Sequence, residues 1–127
     1  MYKSGQLIKA KVNKFPLIDH YGIILVDRGE NYVMHNSPFV SSVIETLDKF
    51  LSTRTKIEVK DTDLILDSNE SIIDRFEMEC KKQYRLFNYN CEHFIDCMLD
   101  QPQKSEQIQT WILGLSIAFM SYRLLRR

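Results

Sequence analysis

Residues 15 to 38, FPLIDHYGIILVDRGENYVMHNSP, constrain the fold more than any other stretch. After a turn opened by Pro16, the chain runs through Ile, Leu and Val to residue 26, a strand by composition. Residues 27 to 31, DRGEN, are turn formers, and YVMHNSP (32–38) returns as a second strand that stops at Pro38. Two such strands across a short turn make an antiparallel hairpin. His20 lies at the start of one strand and His35 at the end of the next, so pairing sets the two imidazoles side by side. A chain that must form this hairpin is committed to a sheet in its N-terminal third.

The flanking segments extend that sheet and add helices. GQLIKAKV (5–12) alternates apolar and polar residues as a half-buried strand does. Residues 39 to 60 predict a short strand or turn around 40–45, a helical turn over 46–52 and a strand at 56–60. A loop with a brief apolar patch covers 61–71. Ser71 then reads as the N-cap of a helix over 72–83, with Ile72, Ile73, Phe76 and Cys80 on one face. A short strand follows at 84–88, and a helix over 90–101 is stopped by Pro102.

The C-terminal segment differs in kind. Residues 107 to 122 hold no charged side chain, and Arg123, Arg126 and Arg127 follow. Sixteen helical residues span about 24 Å, short of the roughly 30 Å hydrocarbon core of a bilayer. The reading divides between a buried or oligomer-forming helix and a membrane anchor. The domain boundaries expected are 1–103 for the folded unit and 104–127 for the hydrophobic tail.

Composition narrows the classes. A chain of 127 residues with zero formal net charge is long enough for one core and has no basic field for nucleic acid. Three cysteines, an odd number, and the polar start MYKSGQ predict reduced thiols in a cytoplasmic setting.

Cys91 opens the helix that begins in NYNCEHFIDC, residues 88 to 97. The free N–H groups and positive end of a helix stabilise a thiolate, which predicts a thiol pKa below the free value of about 8.5. A nucleophilic thiol also needs a base and a group that orients the base, and His20 and His35 offer both. Against this stands the structural alternative, a buried cysteine with two bystander histidines. A metal site using Cys91, His93 and one of the other histidines matches no usual zinc spacing. Cys97 lies about 240° round the helix from Cys91, and with Cys80 it reads as core. His93 points away from Cys91 and reads as capping or packing locally, and Glu92 complements the helix dipole.

NCEHF (90–94) resembles the cysteine box of the lecithin retinol acyltransferase family, which includes the Ras-suppressor-like phospholipid acyltransferases. DHYGIIL (19–25) resembles the family's first histidine box and YVMHNSP its second. GQLI (5–8) is similar to the family's Gly-Asp-Leu-Ile opening, with Gln6 in place of the acid. The similarity spans roughly residues 5–100, although 39–70 departs from the family and leaves the acyl acceptor unnamed. The resemblance implies an α+β, permuted papain-like (NlpC-type) domain, its antiparallel sheet packed against the nucleophile's helix. It implies Cys91 as nucleophile, His20 as general base and His35 as the residue orienting His20. The expected activity is a thiol acyltransferase or phospholipase A-type hydrolase that forms an acyl-thioester from a glycerophospholipid. No cofactor or metal is expected, and the partner is a phospholipid membrane reached through the tail. A thiol amidase or peptidase of the same fold, or a non-catalytic membrane-bound interaction domain, are the alternatives.

Overall fold

The computed structural model describes residues 1–101 and 106–125. Five strands form one antiparallel sheet: β1 (Leu7–Val12), β2 (Phe15–Asp27), β3 (Glu30–Ser37), β4 (Ser41–Thr46) and β5 (Arg54–Lys60), in the spatial order β4-β3-β2-β1-β5. The helices are α1 (Leu47–Leu51), α2 (Asn69–Arg75), α3 (Cys91–Met98) and α4 (Glu106–Leu125), with a 3-10 turn at Asp63–Leu66 and a π-helical turn at Phe76–Cys80. The class is α+β.

The hairpin forms as the sequence implies. Asp27 pairs with Glu30, and the two residues between them, Arg28 and Gly29, both have positive φ, the geometry that suits the twist of flanking strands. One expectation fails here. No turn opens at Pro16, because β2 runs from Phe15 without a break. Proline is tolerated at that point because β2 pairs with β3 only from Gly22 onward, and a free strand edge needs no N–H donor.

Alternation along β2 and β3 builds two cores. On one face Leu7, Ile23, Leu25 and Met34 pack with Ile72, Phe76, Phe94 and Met98 from the helical layer. On the other face Ile8, Ala10, Ile24 and Val33 pack beneath Leu47 and Phe50 of α1. Phe94 anchors α3 to the sheet with no exposure to solvent, and truncating such a side chain to alanine costs about 3–5 kcal/mol.

Three boundaries differ from expectation. Helix α2 starts three residues early, because the side chain of Ser68, not Ser71, accepts the first free N–H, that of Ser71 at 3.1 Å. Its continuation loosens into the π turn and stops at Cys80 rather than residue 83. The predicted strand at 84–88 reduces to a single bridge between Arg85 and Tyr89. The Tyr84 N–H goes to the Ser41 hydroxyl instead of to a backbone ladder. The helix predicted over 90–101 ends at Met98, and Asp100 turns out of it at positive φ.

The expectation of three reduced thiols is also corrected. Cys80 and Cys97 are joined in a disulfide, with Cα atoms 5.8 Å apart, and Cys91 alone is free. Packing of the π turn against α3 brings the two together. The bridge removes the cysteine-count argument for a cytoplasmic setting, since disulfides persist in oxidising compartments.

Among the described residues neither core includes a side chain of α4, and Leu113, Leu115, Phe119 and Met120 of that helix are exposed. Among the described residues no helix is long and apolar enough to cross a membrane. The boundary expected between 103 and 104 lies outside the described residues.

Candidate active site

Asn90 fixes where α3 begins. Its side-chain oxygen accepts from the N–H groups of Glu92 and His93 at 3.0 and 3.2 Å, and His93 Nδ1 accepts from the Asn90 N–H at 3.1 Å. This reciprocal cap makes Cys91 the first helical residue and gives His93 a structural job. The loop before it is pinned by the Tyr89 hydroxyl, which donates to the Cys80 carbonyl.

Pairing of β2 with β3 ends at Gly22 opposite His35. The thiol of Cys91 sits at the edge left open beyond that point, donating to the Asp19 carbonyl at 3.8 Å. Cys91 is 7% exposed. Burial pushes its thiol up to about 12, although the Tyr21 and Glu92 backbone N–H groups pull the other way. The expected low pKa is therefore reversed, because loss of solvent outweighs the helix N-terminus. In this closed arrangement Cys91 is a neutral thiol.

The two histidines meet as predicted. His20 Nε2 lies 2.9 Å from His35 Nδ1, and His35 Nε2 lies 2.8 Å from a carboxylate oxygen of Glu45. Gly22 lies opposite His35 in the ladder, where a Cβ would run into the Val33 side chain and crowd the Met34 carbonyl. Phe50 covers the pair, stacked on His20 at 5.7 Å and edge-on to His35 at 5.2 Å between ring centroids. Burial under that ring lowers His20 well below the usual value, with His35 and the Arg54 guanidinium adding to the effect. Burial likewise brings His35 down to about 4, against the opposing pull of Glu45. Both imidazoles are neutral at neutral pH.

Neutrality and Glu45 together decide every proton in the chain. A carboxylate only accepts, so His35 Nε2 carries the hydrogen and His35 Nδ1 is an acceptor. His20 must then donate from Nε2, which leaves a lone pair on His20 Nδ1. His20 is thus a base at the one nitrogen not engaged by His35.

The hydrogen bond that the Cys91 thiol donates goes to the Asp19 carbonyl rather than to an imidazole. The structure therefore brings His20 and His35 together and sets Cys91 against the backbone next to His20. No group of three His, Cys, Asp or Glu gathers to hold a metal ion among the described residues.

Sequence reasoning missed Glu45, Arg54 and Gln107. Glu45 shares a face with His35 because Val43 pairs with His35 and Glu45 lies two residues on, a register the sequence does not give. Arg54 stacks its guanidinium 4.1 Å above the Phe50 ring. Gln107 holds Asp19 by both backbone groups, accepting from its N–H and donating to its carbonyl, each at 3.2 Å. Neither of these two had a sequence signal. Compared with known proteins, the chain matches no family model, no curated protein and no solved structure.

Proposed function

We propose that this protein is a thiol acyltransferase or phospholipase with a permuted papain-like fold, taking acyl groups from glycerophospholipid. The observation that carries the reading is the hydrogen-bonded chain Glu45–His35–His20, together with the bond from the Cys91 thiol to the carbonyl of Asp19, the residue before His20. The similarity of NCEHF and the two histidine segments to the lecithin retinol acyltransferase family supports the same assignment.

In this reading the Cys91 sulfur attacks the ester carbonyl while its proton passes to His20 Nδ1. Because the resting thiol is neutral, proton removal is concerted with attack rather than complete beforehand. The negative oxygen that forms is held by the backbone N–H of Cys91, since the Asn90 cap engages those of Glu92 and His93. Collapse of the adduct breaks the ester C–O bond, and the lysophospholipid oxygen takes the proton from His20. A hydroxyl, amine or water then gives its proton to His20 Nδ1 and attacks the thioester, which frees Cys91. Glu45 and His35 touch no substrate. They hold His20 in the tautomer that serves as base and stabilise the imidazolium. Exposed Leu17, Phe39 and Phe87, on segments flanking the site, suit an apolar donor.

One observation favours a second reading, a thiol amidase or peptidase. The Asp19 backbone beside Cys91 already binds a carboxamide, that of Gln107, through both of its polar groups, as a strand edge binds a peptide. The intact mass of the protein after incubation with phosphatidylcholine vesicles tests the first reading. An acyl adduct on Cys91 supports it. Cleavage of a peptide library without any acyl adduct supports the second.

A further inference from the structure

The Asp19 backbone is shared by two groups that have no structural need of each other. Its carbonyl receives both the Cys91 thiol and the Gln107 amide, and its N–H goes to the Gln107 carbonyl oxygen. Gln107 thus occupies the open edge of β2 next to the nucleophile, where an extended substrate would lie. Cys91 and His20 are 7% and 5% exposed, so the site is shut while the amide is in place.

Gln107 is in the first turn of α4, and the remainder of that helix is not built for water. Ile112, Leu115, Ile117 and Phe119 are all more than half exposed. Isolated in solvent, such a surface calls for a cover. Arg123 closes the helix, and Arg126 and Arg127 follow in the sequence. Three cations at one end disfavour close parallel packing of two copies and favour an anionic lipid surface.

We propose that α4 is an inhibitory strap with the Gln107 carboxamide as its latch, and that binding of the helix to an anionic phospholipid surface withdraws the latch from Asp19 and opens the edge beside Cys91. The proposal rests on Cys91 as the reacting group but not on what it reacts with. Lipid binding and exposure of the nucleophile are then one event, so the thiol is unmasked only where its substrate is.

The test is the rate at which iodoacetamide alkylates the full-length protein at neutral pH, read by intact mass. The disulfide leaves Cys91 as the one free thiol. Vesicles of phosphatidylcholine containing phosphatidylserine should speed alkylation of the native chain about tenfold, as expected for release of two modest hydrogen bonds. Gln107→Ala, and Gln107→Asn, whose shorter amide cannot reach Asp19, should react at the fast rate without vesicles and gain little from them. Gln109→Ala should behave as the native chain. Unchanged far-ultraviolet circular dichroism distinguishes opening of the site from unfolding. Native rates in both Gln107 variants would overturn the latch, as would fast alkylation accompanied by loss of the native spectrum in both. Acceleration that follows protein dilution and ignores vesicles would overturn the lipid occupant in favour of a second copy. If alkylation responds as expected while no acyl adduct ever forms, the strap stands and the acyltransferase reading falls.

Discussion

At the scale of single residues, burial decides the chemistry. A helix N-terminus favours a thiolate, but the neighbours that seal Cys91 from water push its thiol to about 12. Below its pKa the thiolate fraction grows about tenfold per pH unit. Alkylation of Cys91 in the absence of lipid should therefore keep rising through pH 9 and 10, roughly in that proportion. A plateau near pH 8 would mean an activated thiolate and contradict the sealed site. The histidines make a second prediction. In the unfolded chain His35 takes a proton near pH 6.5, whereas in the fold it resists until about 4. Below pH 6.5 the unfolded state binds more protons, so the stability His35 contributes is complete above that value and is lost as pH falls toward 4. His20 acts in the same direction. The thermal midpoint should fall across this window, and His35→Gln should flatten the slope. Identical slopes in the two proteins would show that His35 is not held neutral. Cys91, His20 and His35 were readable as candidate residues in the sequence. Glu45 was not, because one carboxylate in a strand looks like any other until the sheet register is known.

At the scale of elements, the site depends on how β2 ends its pairing. Gly22 is the first residue of β2 to pair with β3, opposite His35, and it has no room for a side chain against Val33 and the Met34 carbonyl. In Gly22→Val the added methyls would meet Val33 and His35. Such overpacking costs about 1–3 kcal/mol and should cut the rate of any Cys91-dependent reaction by far more than the loss of stability accounts for. A variant that is destabilised but retains full activity would separate the His20–His35 contact from function. The hairpin, α1, β5 and the start of α3 were legible because each has a local signal: turn residues, alternation, or a polar residue before an apolar run. The strand predicted at 84–88 failed for a tertiary reason, since side chains of β4 take the hydrogen bonds that a sixth strand would need. Likewise, nothing in a 17-residue separation announces the Cys80–Cys97 bridge, which follows from the packing of the π turn on α3.

At the scale of the whole molecule, the described residues of the two cores all lie before position 100, and none belongs to α4. A chain ending at Gln103 should therefore keep its thermal midpoint within a few degrees, about the effect of 1 kcal/mol or less. It should lose vesicle binding and turnover of bilayer phospholipid while acting on a soluble short-chain ester at least as fast as the full chain, because Gln107 is gone from the site. Unfolding of this shorter chain would place α4 in the fold rather than on a membrane. The most direct test of the central claim, that Cys91 takes an acyl group with His20 as base and Glu45 fixing the tautomer, is one intact-mass measurement after incubation with phosphatidylcholine vesicles. The native protein should gain the mass of one acyl chain, removable by hydroxylamine. Cys91→Ala and His20→Ala should gain none, His35→Gln should gain a measurable fraction, and Glu45→Gln should acquire it about a hundredfold more slowly or worse. An acyl adduct that persists at the native rate in His20→Ala, or no adduct on the native protein with vesicles bound, would contradict it.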